Sequence, residues 1–325
     1  MTPSSFRLFR RVLLHSLVAA ILPFASAGVF AQGSWIPTQP IKLIVPFAPG
    51  GGADIMARLV SDPLSKQLGQ PVIVDNKAGA SGSIGSEFVY RAAPDGYTLL
   101  VATLDSQGMY PHLRAVGFDS AKYVVIGGLA QMGYVLMGRS GMPETLADLR
   151  AQLKTKQATY GSGGAGSSLH VLMELFGKEA GAKLLHIPYK GAGPALQDLL
   201  AGQIDLMMVP IATAPQYRGK LVTYGITSAE RSPVLKDVPT LKETGLNVVG
   251  DSWAALLAPP GTPPAMTTRM AGALQKVLSI PEVDQKLRDL ALTPITLSRP
   301  EFARFYTDEY RKWGDVIETA NITLD

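Results

Sequence analysis

The chain has 325 residues, 30 of them Lys or Arg and 26 Asp or Glu, for a net charge of +4, and it contains no cysteine. That balance leaves no basic stripe of the kind that neutralises nucleic-acid phosphates. The missing thiols exclude disulfides, thiolate metal sites and a lipid anchor on Cys, and the length suits one large α/β domain or two smaller ones.

The N-terminus reads as an export signal. Arg7, Arg10 and Arg11 precede an apolar run over residues 12–24, and the small-residue stretch ASAGVFAQ follows. Charged, then apolar, then small is the order of a secretory leader, and the run is too short to span a bilayer. Cleavage is expected after Ala31, with Ala27 as the alternative. Losing residues 1–31 removes three bases and no acid, which leaves 27 bases against 26 acids and a net charge of +1.

Past the leader, short apolar runs alternate with helical patterns. IKLIVPF (41–47) reads as a buried strand, and Ile55, Leu59, Leu64 and Leu68 as one side of the helix that follows, with Pro63 late in it. PVIVDN (71–76) is a second strand, Ile84, Phe88 and Val89 mark a second helix, and YTLLVAT (97–103) is a third strand. Repeated units of this length favour a parallel sheet covered by helices.

The pattern then restarts. TLADLRAQLK (145–154) is helical and ATYGS (158–162) a short strand. A helix over 167–181 opens on Ser167 and presents Leu169, Leu172, Met173 and Phe176 as its apolar face. KLLHIPY (183–189) and QIDLMMV (203–209) are strands around a helix over 192–200. A second βα domain accounts for these more economically than one sheet. From residue 251 a strand, a proline-marked turn at 259–264 and a long helix return the chain to the first domain. The expected division is residues 32–130 with 250–325 in one lobe and 131–249 in the other.

Four glycine-rich loops follow predicted strands. GGGAD (50–54) permits a tight turn into a helix whose first N–H groups are unpaired, an anion site without a cationic side chain. Asp54 would repel an anion, so it reads as a cap or as an acceptor for a neighbouring loop; turn plus cap alone is the plainer alternative. The loop lacks Ser, Thr, His and Cys, which excludes a nucleophile elbow, and lacks the Gly-Lys-Ser/Thr ending of a P-loop. NKAGASGSIG (76–85) repeats the device and adds the hydroxyls of Ser81 and Ser83. GSGGAG (161–166) formally matches a dinucleotide fingerprint, but no convincing acidic residue follows at the required place, and Ser162, Ser167 and Ser168 supply donors instead. HIPYKGAGPA (186–195) offers the phenol of Tyr189, the charge of Lys190 and exposed backbone at Gly191 and Gly193.

Other chemistries fit less well. His112, His170 and His186 have no metal spacing, and His170 with Glu174 reads as a structural helical pair. An exported serine hydrolase would need Ser81, Ser83 or Ser167 beside His170 or His186, and neither histidine has a convincing acid partner in the sequence.

The chain resembles the extracytoplasmic solute-binding receptors of tripartite tricarboxylate transporters, the Bug family. The resemblance covers nearly the whole mature chain: PFAPGGGAD at 46–54, VDNKAGASGSIG at 74–85, PDGYTLL at 94–100, YGSGGAGSSLH at 160–170, HIPYKGAGPALQDLLAGQIDLM at 186–207 and WAALLAPPGTP at 253–263. It implies an α/β, two-lobed periplasmic binding protein, type II-like, that closes on a small organic carboxylate. It implies no catalysis, cofactor or metal, a monomer, and cognate permease subunits as partners. In the family the loops matching 47–54 and 80–83 hold a carboxylate partly through ordered water, which nominates Phe47, Ala48, Gly51, Gly52, Ala53, Asp54, Ala80, Ser81, Gly82 and Ser83. Opposite them, the loops matching 161–168 and 189–192 nominate Ser162, Ser167, Tyr189, Lys190, Gly191 and Ala192. Asp205 matches a family acidic position that would bind an amine or order the cleft. Met56 and the pair Leu104–Asp105 fall at variable places near the pocket, so no relative's ligand transfers directly.

Overall fold

In a computed structural model, which describes residues 35–324, the strands sort into two sheets. The chain builds the first from β1 (Ile41–Val45), α1 (Gly52–Leu68), β2 (Val72–Asn76), α2 (Ser83–Tyr90) and β3 (Thr98–Thr103). A π-helical turn over Leu104–Met109 and the one-turn α3 (Tyr110–Leu113) lead to β4 (Val124–Met132). The second holds β5 (Tyr134–Gly138), α4 (Leu146–Leu153), β6 (Ala158–Ser162), α5 (Ser168–Ala180), β7 (Leu184–Pro188), α6 (Ala192–Leu200), β8 (Leu206–Pro210) and β9 (Val222–Ile226). The return contributes β10 (Ser252–Ala258), α7 (Pro264–Leu278), α8 (Pro281–Asp289), β11 (Thr293–Pro294) and α9 (Arg299–Ala320).

The strand orders are β11-β4-β10-β3-β1-β2 and β7-β6-β8-β5-β9. β1 runs parallel to β2 and β3, and β6 parallel to β7 and β8. The first sheet also takes two antiparallel strands, β10 between β3 and β4 and the two-residue β11 at the edge against β4, and the second takes one, β5 between β8 and β9. The sheets are therefore mixed, where the sequence pattern favoured parallel ones. β10 and β5 are the strands made as the chain crosses between lobes, and no local periodicity marks a crossing.

The order places the crevice. β1 has β2 on one side and β3 on the other, and β6 likewise has β7 and β8. The winding reverses at β1/β3 and β6/β8, and ligands in open α/β sheets bind outside the carboxyl ends of strands at such points. The loops after β1, β2 and β3 leave one sheet there, and those after β6 and β7 leave the other.

Packing corrects two helix faces. On α1 the buried residues are Ala53, Asp54, Met56, Ala57, Val60, Ser61, Leu64 and Leu68, whereas Ile55 is 39% exposed. On α2, Val89 is buried, while Ile84 and Phe88 face solvent. The expected face of α5 is the observed one, since Leu169, Leu172, Met173 and Phe176 are all buried.

Only Gly133 separates β4 from β5, so the chain changes sheets there, two residues beyond the 130/131 boundary expected from sequence. A Cβ on Gly133 would lie 2.3 Å from Ser228 Oγ, so a side chain there would force the Ser228 hydroxyl to move. The last helix ties the two halves together. Trp313 of α9 is fully buried beside Gly250 and Leu172, and Lys178 Nζ of α5 donates to the Thr319 carbonyl at 2.6 Å.

Candidate functional site

The first loop leaves β1 and enters α1 through Gly51, whose extended backbone (φ −76°, ψ 166°) makes it the N-cap. No side chain caps this helix. The first intrahelical bond is Ile55 N–H to Gly51 O, and the N–H groups of Gly52, Ala53 and Asp54 have no acceptor among the described residues. They are the donors expected of an anion cradle.

Asp54 turns its carboxylate away from that role. Oδ2 accepts from Gly50 N–H and Arg58 Nε, both at 2.9 Å, and Oδ1 accepts from Asn76 Nδ2 at 3.0 Å. Asn76 Nδ2 also donates to the Phe47 carbonyl, so Asp54 staples the β1 and β2 loops from beneath. Donation from Arg58, with help from Gly50 and Asn76, outweighs burial and holds the carboxyl down to about 2. The objection that Asp54 would repel a guest anion is met by these donors, which balance its charge.

The second loop has four successive positive φ angles, at Gly79, Ala80, Ser81 and Gly82. Ala80 and Ser81 are non-glycine residues in the left-handed region, a strain of about 1–2 kcal/mol each. The run turns the N-terminus of α2 toward the crevice, again with no side-chain cap. Gly82 is required: a Cβ would lie 2.8 Å from that of Ser106 and 3.1 Å from the Phe47 ring. Phe47 thus supports the second loop by packing. Ser81 Oγ donates across the crevice to the Ala165 carbonyl at 3.3 Å, and Ser83 is half-buried at the helix start.

On the facing sheet, both nominated serines shape their own loop. Ser162 is fully buried; its Oγ bonds His186 Nε2 at 2.7 Å and accepts from Gly164 N–H at 3.1 Å. Ser167 caps α5, accepting from His170 N–H and donating to the Gly164 carbonyl at 2.7 Å. The His170 and His186 rings stack at 4.2 Å, with Tyr160 4.9 Å beyond His186. None of Ser81, Ser83 and Ser167 bonds a histidine ring among the described residues. The serine that does, Ser162, is closed to any substrate carbonyl.

The last loop presents backbone. The Tyr189 phenol donates to Asp198 Oδ2 at 2.6 Å, and burial together with Asp198 pushes it up to about 12. Gly191 (φ 112°) is the uncapped N-cap of α6, and Lys190 is exposed with no ion pair among the described residues.

Asp205 is not in the crevice. It precedes β8, beside Thr159 at the start of β6, whereas the loops leave the opposite ends of these strands. Its carboxylate pairs with Arg139 Nε at 2.9 Å and accepts from the Thr159 N–H and Oγ1. It ties β6, β8 and the end of β5 together, and a cleft role is withdrawn on this geometry.

One crevice contact had no role assigned from sequence. Ser168 N–H, the first of α5, donates to Asp105 Oδ1 at 3.1 Å, and Ser168 Oγ bonds the Tyr134 phenol at 2.8 Å. Two open surface depressions, 420 and 620 Å³ in volume, flank α9 away from the glycine loops; neither gathers several helix N-termini, so the crevice is the better site.

The sequence profile described as "Tripartite tricarboxylate transporter family receptor" matches residues 56–322. The chain belongs to this family. It is 34% identical over 317 residues to the protein BugT of Bordetella pertussis, covering 92% of this chain and 95% of BugT. Among solved structures, Rpa4515 of R. palustris with adipate matches with a TM-score of 0.80 at 30% identity, over 88% of this chain and 99% of that one. MatC from Rhodopseudomonas palustris with bound malate matches with a TM-score of 0.77 at 30% identity, over 87% and 100%. The receptor is therefore an α/β, two-lobed periplasmic binding protein and not an enzyme.

Proposed function

We propose that this receptor captures a small organic carboxylate between its lobes and delivers it, as a monomer, to permease subunits in the membrane. The observation that carries this reading is the pair of uncapped helix N-termini, α1 and α2, at the carboxyl ends of adjacent strands. Backbone N–H groups there suit a carboxylate without a basic side chain. The adipate and malate held by the two similar structures are of the same chemical class. We assign the first contacts to the backbone at 47–54 and 80–83, with Tyr189, Lys190, Gly191 and Ala192 closing from the other side. Ser162 and Ser167 act by holding their loop in shape.

A ligand touching both lobes favours the closed population by its differential affinity, and the permease reads that form. The leader over residues 1–31 lies outside the described residues; we propose cleavage after Ala31, which the intact mass of the exported protein checks. The central test is a thermal-shift screen of ligand-stripped protein. A carboxylate at about 100 times its Kd adds about 2.7 kcal/mol to the unfolding free energy. A broad panel of carboxylates that produces no stabilisation would refute the reading.

A further inference from the structure

We propose that Asp105 sets the ligand class: it occupies the helix N-terminus that the second lobe turns toward the crevice, and so restricts this receptor to ligands with one carboxylate and an uncharged or cationic far end. The proposal rests on the carboxylate reading above and narrows it.

The placement comes from topology. Asp105 lies in the turn that follows β3, and β3 with β1 forms the switch point of the first sheet. Its carboxylate does not fold back on its own lobe. Oδ1 reaches the first N–H of α5 at 3.1 Å, and the Ser167 hydroxyl takes the N–H of His170 in the same turn. The start of α5 is therefore occupied by acceptors belonging to the protein itself, while the start of α1 has none among the described residues.

A ligand spanning the crevice with one carboxylate on the α1 and α2 loops presents its other end to Asp105. A second carboxylate there would have to displace Asp105 from Ser168 N–H or lie beside it. Asp105 makes no ion pair among the described residues, so no cation lies between to relieve the repulsion. Two carboxylates sharing a site cannot both ionise freely. An ammonium or hydroxyl would instead donate to Asp105. The relatives that hold adipate and malate bind dicarboxylates, so this chain departs from them in ligand class.

The test uses matched triads, each a monocarboxylate, its terminal amino derivative and the corresponding dicarboxylate, built on four-carbon chains, six-carbon chains and a benzene ring. They are titrated calorimetrically into the ligand-stripped mature protein and into Asp105→Asn and Asp105→Gly. In the unmodified receptor, the monocarboxylate or amino acid of the best scaffold binds about tenfold or more tighter than the dicarboxylate. Asp105→Asn keeps an oxygen for Ser168 N–H and removes the charge, and it erases or inverts that ratio. Asp105→Gly does the same; should it fail to fold, the isosteric variant and the unmodified ratio still decide. Equal affinity for both members of a pair in the unmodified protein, or a ratio unmoved by the substitutions, overturns the proposal while leaving the carboxylate reading intact. If no triad member binds, the carboxylate reading falls and this inference falls with it.

Discussion

The loops that open α1 and α5 are built alike and end differently. Each follows the central parallel strand of its sheet, is rich in glycine, and hands the chain to a helix at a switch point. At α1 the first three N–H groups have no partner among the described residues, and the Asp54 carboxylate is drawn off by Gly50, Arg58 and Asn76. At α5, Ser167 caps the helix and Asp105 from the other lobe takes its first N–H. The same backbone device is therefore an open cradle on one side and a filled one on the other. A helix N-terminus is anion-binding only when the protein has not already supplied the anion.

The sharpest way to break this contrast is Gly52→Pro. Gly52 is the first helical residue, the position where proline is tolerated, and Gly51 before it has an extended conformation that proline accepts. No atom lies within 4 Å of a Cβ built there. The variant loses one donor and keeps its fold. We expect melting to be unchanged and affinity for the bound carboxylate to fall about tenfold to a hundredfold, as for a hydrogen bond to a charged group of about 1.5–3 kcal/mol. Wild-type affinity in the folded variant would remove α1 from the site.

A second prediction concerns the staple beneath the open cradle. Asp54 has its folded pKa lowered from 3.8 to about 2, so its contribution is fully present above pH 4 and is lost as pH falls through the folded value. Because Arg58 is largely exposed, we discount the shift and expect about 1–2 kcal/mol. Urea denaturation of wild type and Asp54→Asn at pH 7 should differ by that amount, and the gap should shrink between pH 4 and pH 2. A gap that stays constant over this interval would show that the carboxylate's charge plays no part.

The smallest effect is expected where the two sides touch. Ser81→Ala removes the 3.3 Å bond to the Ala165 carbonyl across the crevice, a neutral contact of about 0.5–1.5 kcal/mol at most. Ligand affinity should drop less than in Gly52→Pro, with dissociation faster because the closed form loses a tie. A larger loss than for Gly52→Pro, measured by the same titration, would mean that the hydroxyl rather than the backbone holds the ligand.

Much of this protein is legible in its sequence alone. The apolar runs at 41–45, 72–76, 98–103 and 158–162 are strands because short β-branched and aliphatic segments bounded by glycine and proline have few other ways to bury themselves. The glycine loops were readable as helix entries for the same local reason, and the spaced blocks identified the family. Tertiary structure decided what depends on residues far apart in the chain. Periodicity does not report which strand runs antiparallel, so the mixed sheets appeared only with β10 and β5 in place. Ile55 reads as core by hydrophobicity and Asp54 as a cap or loop acceptor, yet the way α1 docks on its sheet exposes the first and buries the second. Asp205 and Asp105 make the point most directly. Both are single acidic residues beside a strand of the core, and nothing local distinguishes them. One lies at the end of β6 and β8 remote from the crevice and is neutralised by Arg139; the other lies at the carboxyl end of β3 and reaches a helix start 63 residues further along the chain. A carboxylate's role is set by which donors surround it, and donors that far away in sequence are brought near only by the fold.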